Sequence, residues 1–185
     1  MRHPVYTLVI IGLISLCNPI FSQVKTKIFK EGIPTERINT NIKSKEIIFD
    51  ATEEIERFKK EMDKDGSSLE YLNKFAHPIE INVNFIEKAE IVTLHEYTLY
   101  SLTLKARNAL NLSLTFNKFI LSTNAILSIY NNNELTDSII AKENNPFNLW
   151  ATRVYQGDKI TLLLTVPNNE LGKSILNIST INYGV

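Results

Sequence analysis

Few residues of this 185-residue chain have the types and spacing that catalysis or metal binding requires. Beyond the first 22 residues there are two histidines: His77, followed by Pro78, and His95, beside Glu96 in a β-like run. Zinc sites draw on Cys and His at short fixed spacings, and acyl-transfer sites hold a nucleophile in a tight turn next to a base. Neither pattern occurs: there is no G-x-S-x-G elbow, and the single cysteine, Cys17, lies in the opening apolar segment. The best metal candidate is EMDKDGSSLEYL, residues 61–72, where Asp63, Asp65 and Gly66 fit positions 3, 5 and 6 of a calcium loop. Its first position is Glu61 and its twelfth is Leu72, so the closing bidentate carboxylate is missing, and a helix ending at Asp65-Gly66 explains the residues. Glu53 and Glu54 fall in the first turn of an expected helix, where the helix dipole accounts for them. The expectation is no catalytic, cofactor-binding or metal-ligating residue, no cofactor, and no enzymatic activity in this chain.

Three further features bear on contacts. Asn111-Leu-Ser113 and Asn177-Ile-Ser179 are glycosylation sequons, both inside expected strands. Trp150 can serve as a ligand platform or an inter-sheet anchor, and its place in an alternating run favours the core.

The opening MRHPVYTLVIIGLISLCNPIFSQ carries an early positive charge, an apolar stretch from Val5 to Leu16, a break at Asn18-Pro19 and a small residue, Ser22. These are the regions of a secretory signal over residues 1–22, and the apolar run is shorter than the ~20 residues that span a bilayer. Lipid attachment at Cys17 is the alternative, disfavoured by the bulk of Leu16. Cleavage leaves about 163 residues, enough for one domain able to bury roughly 70% of its unfolded surface without a disulfide or metal. The expected location is secreted, extracellular or periplasmic, with no stable transmembrane association. Lys+Arg and Asp+Glu are balanced at 20 each, so no basic field exists to draw nucleic acid.

After the signal, residues 23–50 hold two short β-like pieces, VKTKIF and KEIIF, and read as an N-terminal extension. In 51–78 the period is helical: Ile55, Phe58 and Met62 share one face of ATEEIERFKKEM, and a shorter helical piece follows from Ser67 to Phe75. From residue 79 to 185 the period is two. Ile79, Ile81, Val83 and Phe85 alternate with polar residues, as do Tyr100 to Ala106 and Leu110, Leu112, Leu114 and Phe116. Further strands are expected at 90–94, 124–130, 135–141, 148–154, 159–166 and 174–182, separated by NNN, ENNP, QGD and PNNE turns. These gaps leave no room for crossover helices. The expected fold is mainly β: a two-sheet antiparallel β-sandwich, jelly-roll-like, with one or two short N-terminal helices. Asparagine is abundant in the inferred turns, where its side chain tolerates left-handed geometry; the functional alternative is a polar binding surface built by those loops.

The segment from Tyr97 to Val185 resembles the non-catalytic N-terminal β-sandwich region of secreted bacterial lysyl-endopeptidase-type, trypsin-like serine proteases. The resemblance rests on YSLTLKARNALNLSLTFNKFILSTNAILSIYNNN, then NPFNLWATRVYQGDKITLLLTVPNN and LNISTINYG, with Tyr100, Ala109, Leu112, Phe116, Phe119, Leu121, Ile129, Tyr130, Trp150, Val154, Gly157, Asp158 and Pro167 at matching places. It departs at Tyr100, where Trp is usual, and at Ser122-Thr123-Asn124, where a proline-containing turn is usual. The family's catalytic His, Asp and Ser have no counterparts here. The resemblance implies a secreted non-catalytic accessory domain, pro-region-like or a truncated protease relative, acting on a protein partner or protease domain. The alternative from the Asn-rich loops is an extracellular carbohydrate- or ligand-binding module with a glycan as partner.

Overall fold

The computed structural model describes residues 43–50 and 77–184 and, between them, 52, 53, 56, 57 and 60. Among the described residues eleven strands form two sheets. They are β1 (Lys45–Asp50), β2 (His77–Asn84), β3 (Glu90–Thr93), β4 (Tyr97–Arg107), β5 (Asn111–Ile120), β6 (Ile126–Asn131), β7 (Glu134–Ile140), β8 (Trp150–Ala151), β9 (Tyr155–Gln156), β10 (Lys159–Pro167) and β11 (Ile175–Gly184). One helical turn, Phe85–Lys88, follows β2 and buries Phe85. The expected mainly β, two-sheet sandwich is the observed architecture.

The six-stranded sheet runs β1-β4-β10-β6-β7, and β3 shares an edge of β4 with β1: β3 pairs with Thr98–Ser101, β1 with Leu102–Arg107. The five-stranded sheet runs β2-β11-β5, with β8 and β9 end to end along the outer edge of β5. Its connections pass repeatedly between sheets, β4 to β5 and β10 to β11 among them, so neighbours in sequence face each other across the core.

The core is where the two inner faces meet. Leu102, Leu104, Leu127, Ile129, Ile160, Leu162 and Leu164 from one sheet pack on Leu112, Leu114, Phe116, Phe119, Ile178, Ile181 and Tyr183 from the other. All are buried, and each such side chain contributes ~1.5–3 kcal/mol by leaving water. Trp150 is half-buried against this core, stacked on Phe119 at 4.6 Å and tilted against Phe116 at 5.6 Å, so it extends the aromatic packing of its own sheet to the β8 edge.

Strict alternation does not suffice to build this core. Phe116 and Phe119 both point inward although three residues apart, because the β5–β11 register shifts at that point and Asn117 is the extra residue. On β11 a second shift between Ile178 and Thr180 lets Ile178 and Ile181 share the inner face. Each bulge turns two consecutive polar residues, Asn117-Lys118 and Ser179-Thr180, away from the core.

Several expectations are modified. β1 pairs in parallel with β4, so the sheets are not wholly antiparallel. Leu110, expected at the head of an apolar face, lies in the β4–β5 turn and is 64% exposed; positive φ at Asn108 reverses the chain before the strand begins. The strand expected over 148–154 is broken: β8 and β9 are two residues each, and Thr152 bridges the interruption, its N–H donating to Leu114 O and its Oγ1 accepting from Leu114 N–H, both at 2.9 Å. Within 51–78, the described positions Thr52, Glu53, Glu56, Arg57 and Lys60 have helical backbone; the rest of the expected first helix, the helical piece 67–75 and the 61–72 loop lie outside the described residues, as do VKTKIF and the signal segment.

Leu162→Ala, in the middle of the core, is expected to lower unfolding free energy by about 2–5 kcal/mol in urea titrations, whereas Leu110→Ala is expected to change it by less than about 0.5 kcal/mol. Equal losses at the two positions would contradict the assignment of Leu110 to the turn.

Candidate functional site

The outer face of the five-stranded sheet is built from the alternate residues of β2, β11 and β5; its middle is neutral and polar, and the Ile175–Ile120 pair lies at one end. Asn82 on β2, Asn177 on β11 and Asn117 at the β5 bulge form a ladder across three strands. The Asn177 side-chain amide donates to Asn82 Oδ1 at 3.0 Å and to Asn117 Oδ1 at 2.8 Å. Nearer the other end, Asn182 Nδ2 donates to Ser113 Oγ at 3.3 Å and Thr115 Oγ1 at 3.4 Å, and Ser179 Oγ donates to the Thr115 carbonyl at 3.2 Å. Asn177 spends both amide hydrogens on its neighbours and leaves its carbonyl; Asn82 and Asn117 keep their NH2 donors. The face therefore presents alternating donors and acceptors held in place by their own cross-links. Glu80 and Lys118 are the charged groups on it. Both sequon asparagines, Asn111 and Asn177, belong to this face, and the Asn111 amide packs directly on Gly184, where a Cβ would meet its Nδ2.

At the β8 edge of this face the loop 144–149 displays Phe147, 81% exposed, and Leu149, 53% exposed. The loop is pinned: Asn145 Oδ1 accepts from Phe147 N–H at 3.0 Å, the Asn145 amide donates to Leu149 O, and the Asn148 carbonyl accepts from Phe119 N–H at 2.7 Å. Asn148 supplies the positive φ that this path needs.

Three other loop asparagines, Asn144, Asn168 and Asn124, are committed to structure. Asn144 pairs with Leu121 through both its amide atoms, extending the β5 ladder by one residue. Asn168 accepts from Thr98 Oγ1 and donates to the carbonyls of Leu94 and His95. Asn124 donates its backbone N–H at 3.0 Å and its amide at 2.6 Å to Glu170. The Glu170 carboxyl is held below the usual carboxylate range, first by the Asn124 backbone N–H and then by the Ser122 side chain. Asn144 and Asn168 thus spend their amides on backbone groups and Asn124 on Glu170, while the amides of Asn82, Asn177 and Asn117 are linked to one another on the sheet face.

One cluster was not legible in the sequence. Asp137 on β7 accepts from Tyr155 Oη at 2.6 Å and from Arg153 Nε at 2.8 Å, and the Arg153 guanidinium lies 5.1 Å over the Tyr155 ring. Burial pushes the Tyr155 hydroxyl far above its ordinary pKa, and the Asp137 hydrogen bond adds to it. The group clasps β7 of one sheet to β9 of the other and closes that edge of the sandwich. Tyr155 is buried and Trp150 half-buried, so neither is an open aromatic platform. No signal short of the β7–β9 juxtaposition pairs residues 137, 153 and 155.

His77 opens β2, its ring 5.7 Å from Tyr183, while His95 lies in the β3–β4 turn at the opposite end of the sandwich. The structure does not bring them together, and among the described residues no group of His, Cys, Asp and Glu could hold a metal ion. Among the same residues no helix is long and apolar enough to cross a membrane.

No protein-family model matches the chain, and neither does any curated protein. Among solved structures, an insecticidal delta-endotoxin, Cry8Ea1 from Bacillus thuringiensis, aligns with 51% of this chain at 10% identity and a TM-score of 0.27; the aligned part is 19% of the toxin chain.

The Glu170 pKa is depressed in the folded chain, so its contribution to stability is complete above the unfolded carboxyl value and is lost as pH falls through the folded one. Thermal midpoints of the wild type are expected to decline from about pH 5 downward, and Glu170→Gln is expected to flatten part of that slope. An identical acid slope in both proteins would remove Glu170 from the account.

Proposed function

We propose that this chain is an exported, non-catalytic binding domain and that the open face of its five-stranded sheet takes a neutral, polyhydroxylated ligand, an extracellular glycan. The observation that carries the reading is the Asn82–Asn177–Asn117 ladder. Sugar hydroxyls both donate and accept, and fixed amides that offer one carbonyl between two NH2 groups match that chemistry without the desolvation cost of charged groups. Pre-ordering by cross-strand hydrogen bonds lowers the entropy lost on binding. Serine and threonine hydroxyls beside the ladder extend the polar strip, and Phe147 gives an apolar contact at its edge. The strand orders β2-β11-β5-β8/β9 and β4-β10-β6-β7 support the finer reading of the sandwich as a jelly roll, an architecture lectin domains share. Fold alone does not assign the ligand; the amide face is what supports the reading.

The second reading, an accessory domain of a lysyl-endopeptidase-type protease, is supported by the resemblance over Tyr97–Val185. Of the residues that carry it, Leu112, Phe116, Phe119, Leu121, Ile129 and Trp150 lie in or against the inter-sheet core. The resemblance therefore speaks for a shared fold more than for a shared contact surface. In this reading the partner is a protein, and the same neutral face is available to it.

Affinity electrophoresis of the purified chain through gels holding soluble neutral polysaccharides (glucans, xylan, mannan) separates the two. Retardation by at least one of them is expected, with affinity falling about tenfold in Asn177→Ala, the equivalent of ~1.4 kcal/mol and of one or two hydrogen bonds. Free migration in every gel, together with co-purification of a co-exported trypsin-like protease, would favour the second reading.

A further inference from the structure

The amide ladder of the five-stranded sheet has an apolar border at one of its ends. Ile175 on β11 and Ile120 on β5 are cross-strand partners one row further along the same outer face. Ile175 precedes the buried Leu176 and is 48% exposed; Ile120 follows the buried Phe119 and is half-buried. Both therefore stand on the side away from the core. Beyond β5, Asn148 O accepts from Phe119 N–H, which sets the exposed Phe147 and Leu149 beside the same stretch of strand. Leu149 directly precedes Trp150, the partner of Phe116, and so comes level with the bulge at Asn117. These four side chains border the Asn177–Asn117 end of the ladder along two sides, and Lys118, the Cα partner of Asn177, stands between the amides and the isoleucines. At the other end Asn82 is flanked along β2 by Glu80 and Asn84, both exposed and polar. Single exposed apolar residues are ordinary on a protein surface, but a contiguous group against fixed polar groups marks a place that a ligand covers.

We infer, resting on the glycan reading above, that the sugar this face takes carries an acyl substituent, an O-acetyl ester or an N-acetyl amide, and that the border of Ile175, Ile120, Phe147 and Leu149 seats it. An acyl group joins an apolar methyl to a carbonyl that only accepts hydrogen bonds. The site has a counterpart for each part. Asn117 gives its Oδ1 to Asn177 and keeps its NH2 as a donor, and the Lys118 ammonium beside it is donor only. The isoleucine pair and Leu149 offer the methyl an apolar wall. A sugar bearing hydroxyls alone would satisfy the ladder and leave that wall in water. The spacing agrees: two residues along β11 separate Asn177 from Ile175 by about 7 Å, a span that one sugar ring with one acyl substituent covers. The loop that carries Phe147 and Leu149 is held by Asn145 before any ligand arrives, so little order is lost when the border is covered.

Two neutral pairs that differ in acylation test this on the full chain. Chitohexaose against cellohexaose, by calorimetry, reads the N-acetyl form; acetylated xylan against the same xylan after alkaline deacetylation, by affinity electrophoresis, reads the O-acetyl form. The acylated member of at least one pair is expected to bind about tenfold more tightly, as one buried methyl and one hydrogen bond would give. Ile175→Thr, which keeps the β-branched shape at an exposed position, is expected to cut that preference to about twofold and leave affinity for the unacylated member unchanged. Asn177→Ala is expected to weaken both members alike. Equal affinity within both pairs, or tighter binding of the unacylated members, overturns the inference and leaves the glycan reading standing. Absence of binding to all four overturns the glycan reading and this inference with it. Should Ile175→Thr lower the thermal midpoint, Leu149→Ser at the strand edge reads the same loss, and a preference that survives in both variants places the acyl group elsewhere and overturns the inference.

Discussion

Everything in this molecule depends on two apolar sheet faces being pressed together by strands whose outer residues are polar or small. Along β4, β10 and β6 the inner residues are leucine and isoleucine almost without interruption, and across from them β5 and β11 supply leucine, isoleucine, phenylalanine and tyrosine. Burial of these side chains is the main favourable term. The constraint is demanding enough to override local regularity. The bulges at Asn117 and Ser179 break the pairing so that Phe119 and Ile181 remain inside. The aromatic group of Phe116, Phe119 and Trp150 and the Asp137–Arg153–Tyr155 clasp then fasten the side of the sandwich where the edge strand is shortest.

Asparagine serves this arrangement in three physically distinct ways. Asn108, Asn132, Asn133 and Asn148 occupy left-handed backbone, where a side chain that can bond its own main chain is best tolerated. Asn144 and Asn168 use their amides as substitutes for backbone partners where strands end, and Asn124 gives its amide to the Glu170 carboxylate. Asn82, Asn117, Asn177 and Asn182 form the hydrogen-bonded surface of the five-stranded sheet. The last group is the one whose amides are cross-linked into a single strip across three strands.

The two outer faces thus have opposite characters. One is a ladder of neutral donors and acceptors; the other is a trough of serine, threonine and leucine that is buried despite facing away from the core. The phenylalanine of the 144–149 loop stands at the edge of the polar face, held by the same asparagine chemistry that shapes the turns.

Period-two alternation in Ile79–Val83, Tyr100–Ala106 and Leu112–Phe116 determined that the chain is a β-sandwich, because alternation is a local property fixed by strand geometry. The positions of most turns followed for the same reason, through Asn, Gly and Pro, which act within a few residues. Tertiary structure alone decided the parallel pairing of β1 with β4, the exposure of Leu110, the bulges that reverse the alternation, and the meeting of Asp137 with Tyr155. It alone also set Asn82, Asn117 and Asn177 side by side, from three segments up to 95 residues apart. Those outcomes depend on which strand lies beside which and in what register. That choice is made by the shared burial of both sheets, a long-range energy that no window of sequence contains.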